Sequence, residues 1–341
     1  DPMADQLRTA IALSGGTDSS MAAHCLRGAG YRLTALTLRL CPVASVKSSE
    51  AHIAHARDVA GRLGLSHHVR AVGDAFESTI VQPFVDAYSR GETPSPCVHC
   101  NMHIKFGLLL DMARQLGCAR LATGHYARIT RTDTGRFALH RGRDLTKDQS
   151  YFLFGLTQEQ LQASCFPLGE WAKSTVRKRA HELGLAPHSR AESQDLCFVP
   201  DGNYAAFVAR RRPELNRPGP LVDTAGNKLG VHPGFFYFTI GQRRGLGLGG
   251  GPWYVTALDP ATNTVVAGRR EDALGSSLTV NRMNWIVPPP EPGTHVQADV
   301  QFRYAMRPVR TDIHVSANGA QAVLRLSEPV LGITPGQAAV F

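Results

Sequence analysis

The apolar residues of the amino-terminal half change period repeatedly, and this alternation constrains the fold more than any other feature. Residues 9–13 form a short apolar run, followed by a Gly-Gly turn and then by helical spacing over 18–27. Residues 31–40 alternate and read as a second strand; 50–63 read as a helix with Ala54, Val59, Ala60 and Leu63 on one side. A third strand is expected at 68–72, helices at 76–88 and 103–116, and a fourth strand at 120–123. Strands separated by helices predict a mainly parallel sheet covered on both faces. Two runs flanking Asp133-Thr134-Gly135 predict a hairpin over 126–139, and helical spacing returns at 158–164 and 174–183.

The pattern changes near Tyr204, where helical spacing fades and Gly and Pro become dense. Short alternating runs follow at 235–240, 253–259, 265–268, 279–285, 295–303, 311–315 and 321–326, which predict a small β-domain and then a β-barrel. The expected architecture is an α/β domain over 1–204, a small β-rich central domain over 205–273 and a carboxy-terminal β-barrel over 274–341. Pro288-Pro289-Pro290 reads as a stiff connector inside the last region rather than as a boundary. The chain has 341 residues, enough for two or three cores. With 43% hydrophobic and 19% charged residues it reads as globular rather than disordered. No apolar run approaches the roughly 18–20 residues of a membrane span. No secretory signal pattern opens the chain, and Asp1-Pro2 ahead of Met3 reads as a cloning remnant.

The net charge is +9, carried by 37 basic against 28 acidic residues, and only six of the basic ones are lysines. Arginine forks match phosphate bidentately, so the surface reads as one that meets phosphate, or else as an arginine-favouring codon usage. The seven cysteines are Cys25, Cys41, Cys97, Cys100, Cys118, Cys165 and Cys197. An odd count in a large chain argues against a disulfide scaffold and for a reducing cytoplasm with a few used thiols. Cys25, Cys118 and Cys165 suit core positions.

Three stretches carry chemistry. Ser14-Gly15-Gly16-Thr17-Asp18-Ser19-Ser20 follows a strand and opens a helix, where glycines let backbone approach an anion and free N–H groups point at it. The spacing is neither a dinucleotide fingerprint nor a Walker loop. Cys97-Val98-His99-Cys100, behind Thr93-Pro94-Ser95-Pro96, suits a redox pair, half a zinc site with His99 or His103, part of an iron–sulfur site, or two structural thiols. Pro94 and Pro96 place that motif on a loop. Glu192-Ser193-Gln194-Asp195-Leu196-Cys197-Phe198 by itself offers one strand-like cysteine among polar neighbours.

Together these residues resemble the bacterial tRNA-specific 2-thiouridylases, members of the PP-loop ATP pyrophosphatases. The resemblance runs from Ser14–Ser20 through Thr93–Phe106, Ala122–Tyr126, Lys147–Leu153, Ser193–Phe198 and Gly241–Gly247 to Thr334–Phe341. It implies ATP contacts at Ala12, Leu13, Ser14, Gly15, Gly16, Thr17, Asp18, Ser19, Leu38 and Gly124, with Asp18 helping to hold Mg²⁺. It implies a nucleophile at Cys100 and a persulfide carrier at Cys197. Ser95, Pro96 and Cys97 would approach the target base. His125, Lys147, Asp148, Gln149, Arg303, Tyr304 and Gln337 would lie near tRNA, and the basic, flexible Arg243 and Arg244 would track its backbone. The expected substrates are the tRNAs for Lys, Glu and Gln, and the expected sulfur donor is a cysteine desulfurase or a sulfur-relay protein.

The implied chemistry is transfer of AMP to the C2 oxygen of the wobble uridine, then displacement of AMP by sulfur. On one reading Cys100 attacks a Cys197 persulfide and closes a Cys100–Cys197 disulfide; its thiolate calls for a nearby cation or helix terminus. Cys97 stands where many members carry Asp. Three thiolates at Cys97, Cys100 and Cys197 would leave one iron of a [4Fe–4S] cluster open, so a cluster-dependent sulfur step is the alternative. Ser95 replaces the usual Asn. The chain stops at Phe341 where relatives usually add a barrel strand, so a truncation is expected. A different PP-loop synthetase that adenylates a small molecule would need neither Cys100 nor Cys197. A non-enzymatic RNA-binding or redox protein would consume no ATP.

Overall fold

The computed structural model describes residues 8–40, 46–187, 196–199 and 202–341. Two compact units emerge. The first contains 1–80, 97–200 and 284–288; the second contains 81–96, 201–283 and 289–341.

In chain order the elements are β1 (Thr9–Ala12), α1 (Thr17–Gly28), β2 (Leu33–Arg39), α2 (Val46–Arg62), β3 (Ser66–Ala71), α3 (Gly73–Phe76) and, in the second unit, α4 (Gln82–Ser89). Next come α5 (Pro96–His99), which runs on as a π-helix over Cys100–Leu109 into α6 (Leu110–Gln115), then β4 (Arg120–Ala122). The first unit continues with β5 (Ala127–Arg131), β6 (Phe137–Arg141), α7 (Gln158–Gln162), β7 (Ser164–Cys165) and α8 (Lys173–Glu182). Its sheet has the order β3-β2-β1-β4-β7, and every neighbouring pair is parallel. Alternate residues feed two cores, as a sheet buried on both faces requires. Ile11, Ala35 and Ala122 meet the alanine-rich face of α1, with α2 and α8, while Ala10, Leu36 and Leu121 meet Phe106, Leu109 and Leu110. The expected hairpin is β5–β6.

The second unit adds α9 (Tyr204–Arg211) and two sheets. β8 (Gly219–Val222), β9 (Lys228–His232), β10 (Tyr254–Asp259) and β11 (Thr264–Gly268) pair in the order β10-β11-β8-β9. β12 (Leu274–Asn281), β13 (His295–Val300), β14 (Val309–Val315) and β15 (Gln321–Leu331) pair as β12-β15-β14-β13. Gln301 and Val340 bridge in antiparallel fashion beyond β13, with N–H···O distances of 2.8 and 2.9 Å.

Four expectations need correction. The helix expected from 103 starts at Pro96, so Cys97 and Cys100 sit in helical turns and not on a loop; proline suits a first turn, where its missing N–H costs nothing. Residues 235–240 are not a strand. A 3-10 turn over Phe235–Tyr237 buries Phe235 and Phe236 instead. Helical structure does not end at Tyr204: Asn203 caps α9 by accepting from the Ala206 N–H at 3.0 Å. The strand expected over 279–285 ends at Asn281, and Asn284 turns into the first unit, donating to the carbonyls of Phe154 and Leu156 at 2.7 and 3.1 Å.

Candidate active site

β1 hydrogen-bonds to β2 on one side and to β4 on the other, so chain direction diverges at their carboxyl ends, where open α/β sheets hold ligands. The Ser14–Gly16 loop leaves β1 at this point. Gly15 has φ +78°, and a Cβ there would fall 2.1 Å from the His52 carbonyl oxygen. Only glycine fits so sharp a turn against α2. Ser14 N–H donates to Ser19 Oγ at 3.1 Å, and the Ser19 and Ser20 hydroxyls donate to the Gly16 carbonyl at 3.0 Å each. The loop is thus shaped by its own hydroxyls. Gly16, the cap of α1, has no side chain to fill the first N–H groups of that helix. An anion can take them.

Gly124 follows β4 and presses on the start of α1. A Cβ at Gly124 would meet Asp18 C at 2.8 Å and Ser19 N at 2.9 Å. Asp18 faces outward from this junction. Its Oδ1 accepts from Tyr126 Oη at 2.8 Å, and Lys173 Nζ lies 2.7 and 2.6 Å from its two oxygens. Lys173 also stands 5.3 Å from the centroid of the Tyr126 ring. The Lys173 side chain is 13% exposed and that of Asp18 31%, so the pair is partly shielded from water. Nothing in the sequence pointed to Lys173; only the fold brings the first turn of α8 to the loop. Ala12 and Leu38 are half-buried beside it, on β1 and β2.

The thiols cluster on the other side of β4. Cys97 and Cys100 occupy the first turns of the α5–π helix, and Cys197 lies in a turn. Cys97 and Cys197 keep exposed surface, yet protein is dense around each sulfur. Burial pushes Cys97 and Cys100 up, and the Lys105 ammonium opposes it. Burial, then the Cys100 and Cys97 thiols, push Cys197 up to about 12, again against Lys105. The expected cation is present, but it does not outweigh burial. Lys105 Nζ lies 3.4 Å from His125 Nε2, and His125 Nδ1 lies 2.7 Å from Thr123 Oγ1. Burial, then Lys105, holds His125 well below its ordinary value. An ammonium has only protons to give, so Nε2 accepts and Nδ1–H donates to Thr123. His125 is 8% exposed and packs against Phe106 and Phe166. It holds Lys105 from beneath. Among the described residues, no group of three or more His, Cys, Asp or Glu side chains is placed to hold a metal ion.

The sequence matches three family models in order: "tRNA methyl transferase HUP domain" over 7–201, "tRNA methyl transferase PRC-barrel domain" over 205–269 and "Aminomethyltransferase beta-barrel domain" over 275–341. The tRNA-specific 2-thiouridylase MnmA of Heliobacterium modesticaldum is 41% identical over 97% of this chain and 88% of its own. That of Gloeothece citriformis is 44% identical over 98% and 95%, and that of Acidithiobacillus ferrooxidans 43% over 99% and 95%. This chain belongs to the tRNA-specific 2-thiouridylase family. It is an α/β protein with a HUP domain, followed by β-rich central and carboxy-terminal barrel domains.

Other residues singled out in this family member fall in two places. Lys147 is exposed. Asp148 accepts from the N–H groups of Gly142 and Ser150 at 2.9 and 3.0 Å and from the Ser150 hydroxyl at 2.8 Å, which makes it a brace for its turn. Gln149 exchanges bonds with the Tyr126 backbone, its Oε1 accepting at 3.0 Å. In the second unit Arg243 and Arg244 are exposed and line a hollow of about 460 Å³ with Gln242. Gln242 pins their turn by accepting from Thr239 N–H at 3.0 Å and donating to the Arg244 carbonyl at 2.8 Å. Arg303 and Tyr304 are exposed and Gln337 is half-buried there. Ser95 is half-buried and Pro96 buried at the start of α5. Cys41, Ser193, Gln194 and Asp195 lie outside the described residues. No helix among the described residues is long and apolar enough to cross a membrane.

Proposed function

We propose that this chain is a tRNA-uridine 2-sulfurtransferase, which adenylates the C2 oxygen of the wobble uridine with ATP and then installs sulfur, releasing AMP and pyrophosphate. The observation that carries the reading is one unit that holds both an anion loop, with Asp18 gripped by Lys173, and a cluster of three thiols around Lys105. The relatives' names supply the substrate class.

The loop N–H groups and the Ser14, Ser19 and Ser20 framework suit the pyrophosphate part of ATP. Asp18 suits a Mg²⁺ bound with the phosphates, once Lys173 releases it to meet a phosphate oxygen. A Mg²⁺ held there would supply charge neutralisation to the departing pyrophosphate, and the Lys173 ammonium is positioned to add to it. In the sulfur step the Cys100 thiolate attacks the carrier sulfur of a Cys197 persulfide. The S–S bond breaks, hydrosulfide leaves towards C2, and a Cys100–Cys197 disulfide remains to be reduced. Lys105, held by His125, is the cation closest in influence to all three thiols and favours each thiolate as it forms. Among the described residues the thiols do not form a ligand group for a metal, which favours the persulfide route over a cluster. The substrates are the tRNAs for Lys, Glu and Gln, the donor is a cysteine desulfurase or relay protein, and the setting is the cytoplasm.

The test combines ATP, unmodified tRNA and a persulfide donor with the wild type and Cys197→Ser, under anaerobic conditions with iron quantified. The expected result is tRNA-dependent pyrophosphate release in both and 2-thiouridine only with the wild type. Unchanged thiolation in Cys197→Ser overturns the sulfur assignment. Pyrophosphate release indifferent to tRNA points to a small-molecule synthetase. Thiolation that tracks bound iron replaces the persulfide route with the cluster.

A further inference from the structure

At the residues just before α8, the first unit carries an open hollow of about 670 Å³ that the proposed chemistry does not use. Arg143, Asp144 and Leu145 form one wall and Glu170, Trp171 and Thr175 the other. The walls are fixed. The Arg143 N–H donates to the Gly169 carbonyl at 2.8 Å, joining them through the backbone. Asp144 is committed: its Oδ1 accepts from the N–H and hydroxyl of Thr146 at 3.1 and 2.6 Å, and its Oδ2 from the Lys173 N–H at 3.0 Å. Glu170 is committed to Arg128 at 3.1 Å.

What is left uncommitted is of one kind. Among the described residues, the Arg143 guanidinium, the Trp171 indole N–H and the Thr175 hydroxyl have no partner. Leu145 is 68% exposed, more than any other large apolar side chain described. Trp171 packs one part of its ring on the core cluster under α1 and α8 and leaves the rest towards the hollow. An indole, an isobutyl group and a guanidinium plane offer flat apolar contact, free donors and one unspent positive charge. That set suits a planar ring edged with carbonyls and joined to a phosphate. The volume exceeds what a nucleobase needs, and Lys147, exposed two residues beyond Leu145, extends the positive side.

We propose that this hollow is a second RNA subsite, taking one unpaired nucleobase of the tRNA against Trp171 and Leu145 with its phosphate on Arg143. The proposal rests on the tRNA reading above. Asp144 on its wall accepts from the Lys173 N–H, so the hollow is tied to the backbone of the residue that grips Asp18, and the subsite would align the tRNA for the reaction rather than take part in it.

The test measures binding of an anticodon stem-loop RNA to the full chain at several salt concentrations, with ATP binding and thermal melting alongside. Trp171→Ala is expected to weaken RNA binding about tenfold, as loss of one stacking platform does, while Trp171→Phe stays within about twofold. Arg143→Ala is expected to reduce the slope of log K against log salt by about one. Leu145→Asp, fully outside the core, provides the same test if Trp171→Ala unfolds, with a comparable loss. ATP affinity should hold in all of them. Wild-type RNA affinity and salt slope in Leu145→Asp and Arg143→Ala overturn the subsite while leaving the proposed function standing. A fall in ATP affinity with RNA affinity intact assigns the hollow to the nucleotide and overturns it too. If the wild type binds no RNA, the proposed function falls first and takes the subsite with it.

Discussion

Replacing Lys173 by methionine removes one ammonium and keeps the stem over Tyr126. In the wild type both Asp18 oxygens lie within 2.7 Å of Lys173 Nζ. The exposures of 13% and 31% place the pair between a surface ion pair, which contributes about 0–1 kcal/mol, and a buried one, whose breaking costs about 3–5 kcal/mol. A loss of about 1–3 kcal/mol follows, or roughly 2–4 °C of melting temperature for each kcal/mol in a protein of this size. Asp18→Asn should cost a similar amount, because Lys173 then lacks its counter-charge. The double variant should lose much less than the sum, with a coupling of about 1–3 kcal/mol. Catalysis should respond more strongly. If Lys173 moves to the phosphates, Lys173→Met should slow tRNA-dependent pyrophosphate release about 100-fold or more, the size seen when one preorganised donor is removed. The assays are chemical denaturation of the four proteins and a coupled pyrophosphate assay at saturating ATP. Additive stability losses within about 0.5 kcal/mol, together with a wild-type release rate, would refute the reasoning.

Two further outcomes follow from the geometry. Gly15→Ala places a Cβ 2.1 Å from the His52 carbonyl at φ +78°, so it should cost more than about 1 kcal/mol and abolish ATP binding measured by calorimetry; normal affinity would show that the loop rearranges freely. Cys197, raised to about 12, should still gain iodoacetamide reactivity with rising pH above about pH 10, where an ordinary thiol near 8.5 has levelled off; a plateau near the ordinary value would contradict it. The sign for stability is equally definite. Between the ordinary thiol value and about 12 the folded chain keeps a proton that the unfolded chain has lost, so this group's contribution is whole below that window and falls as pH rises through it.

The amino-terminal architecture was legible because each strand and helix carried its own period. β1, β2 and α1 begin and end within a few residues of their expected bounds. The phosphate loop was legible because glycine, hydroxyl and strand–helix context all lie in seven consecutive residues. Lys173 was invisible for the opposite reason: it stands 155 residues from Asp18, and its own neighbourhood reads as an ordinary helix start. Pro96 misled because proline marks a loop and a first helical turn equally well, and only packing chooses. Phe235 and Phe236 misled because adjacent aromatics resemble a strand, whereas here the 3-10 turn buries both. The packing of His125 was not legible: Phe106 and Phe166 lie on other segments, and only the fold brings them around its ring.

The short segment after β4 touches both the glycine loop and the residues around the thiols. Its residues face alternate ways. Gly124 lets the backbone close on Asp18 and Ser19, and Tyr126 reaches back to the Asp18 carboxylate. Between them, His125 turns to the opposite side and holds Lys105 among the thiols, with Thr123 fixing its tautomer. In the proposed reaction adenylation and sulfur transfer both develop negative charge, and one lysine stands near the place proposed for each: Lys173 at the loop and Lys105 at the thiols. Both lysines are held by residues of this segment, Lys173 through the Tyr126–Asp18 bond and Lys105 through His125. A shift of a few tenths of an ångström at Thr123–Tyr126 would therefore misplace both cations together. Gly124 leaves no room to move, and Tyr126 is locked by Gln149 from the backbone side and Asp18 from the ring side.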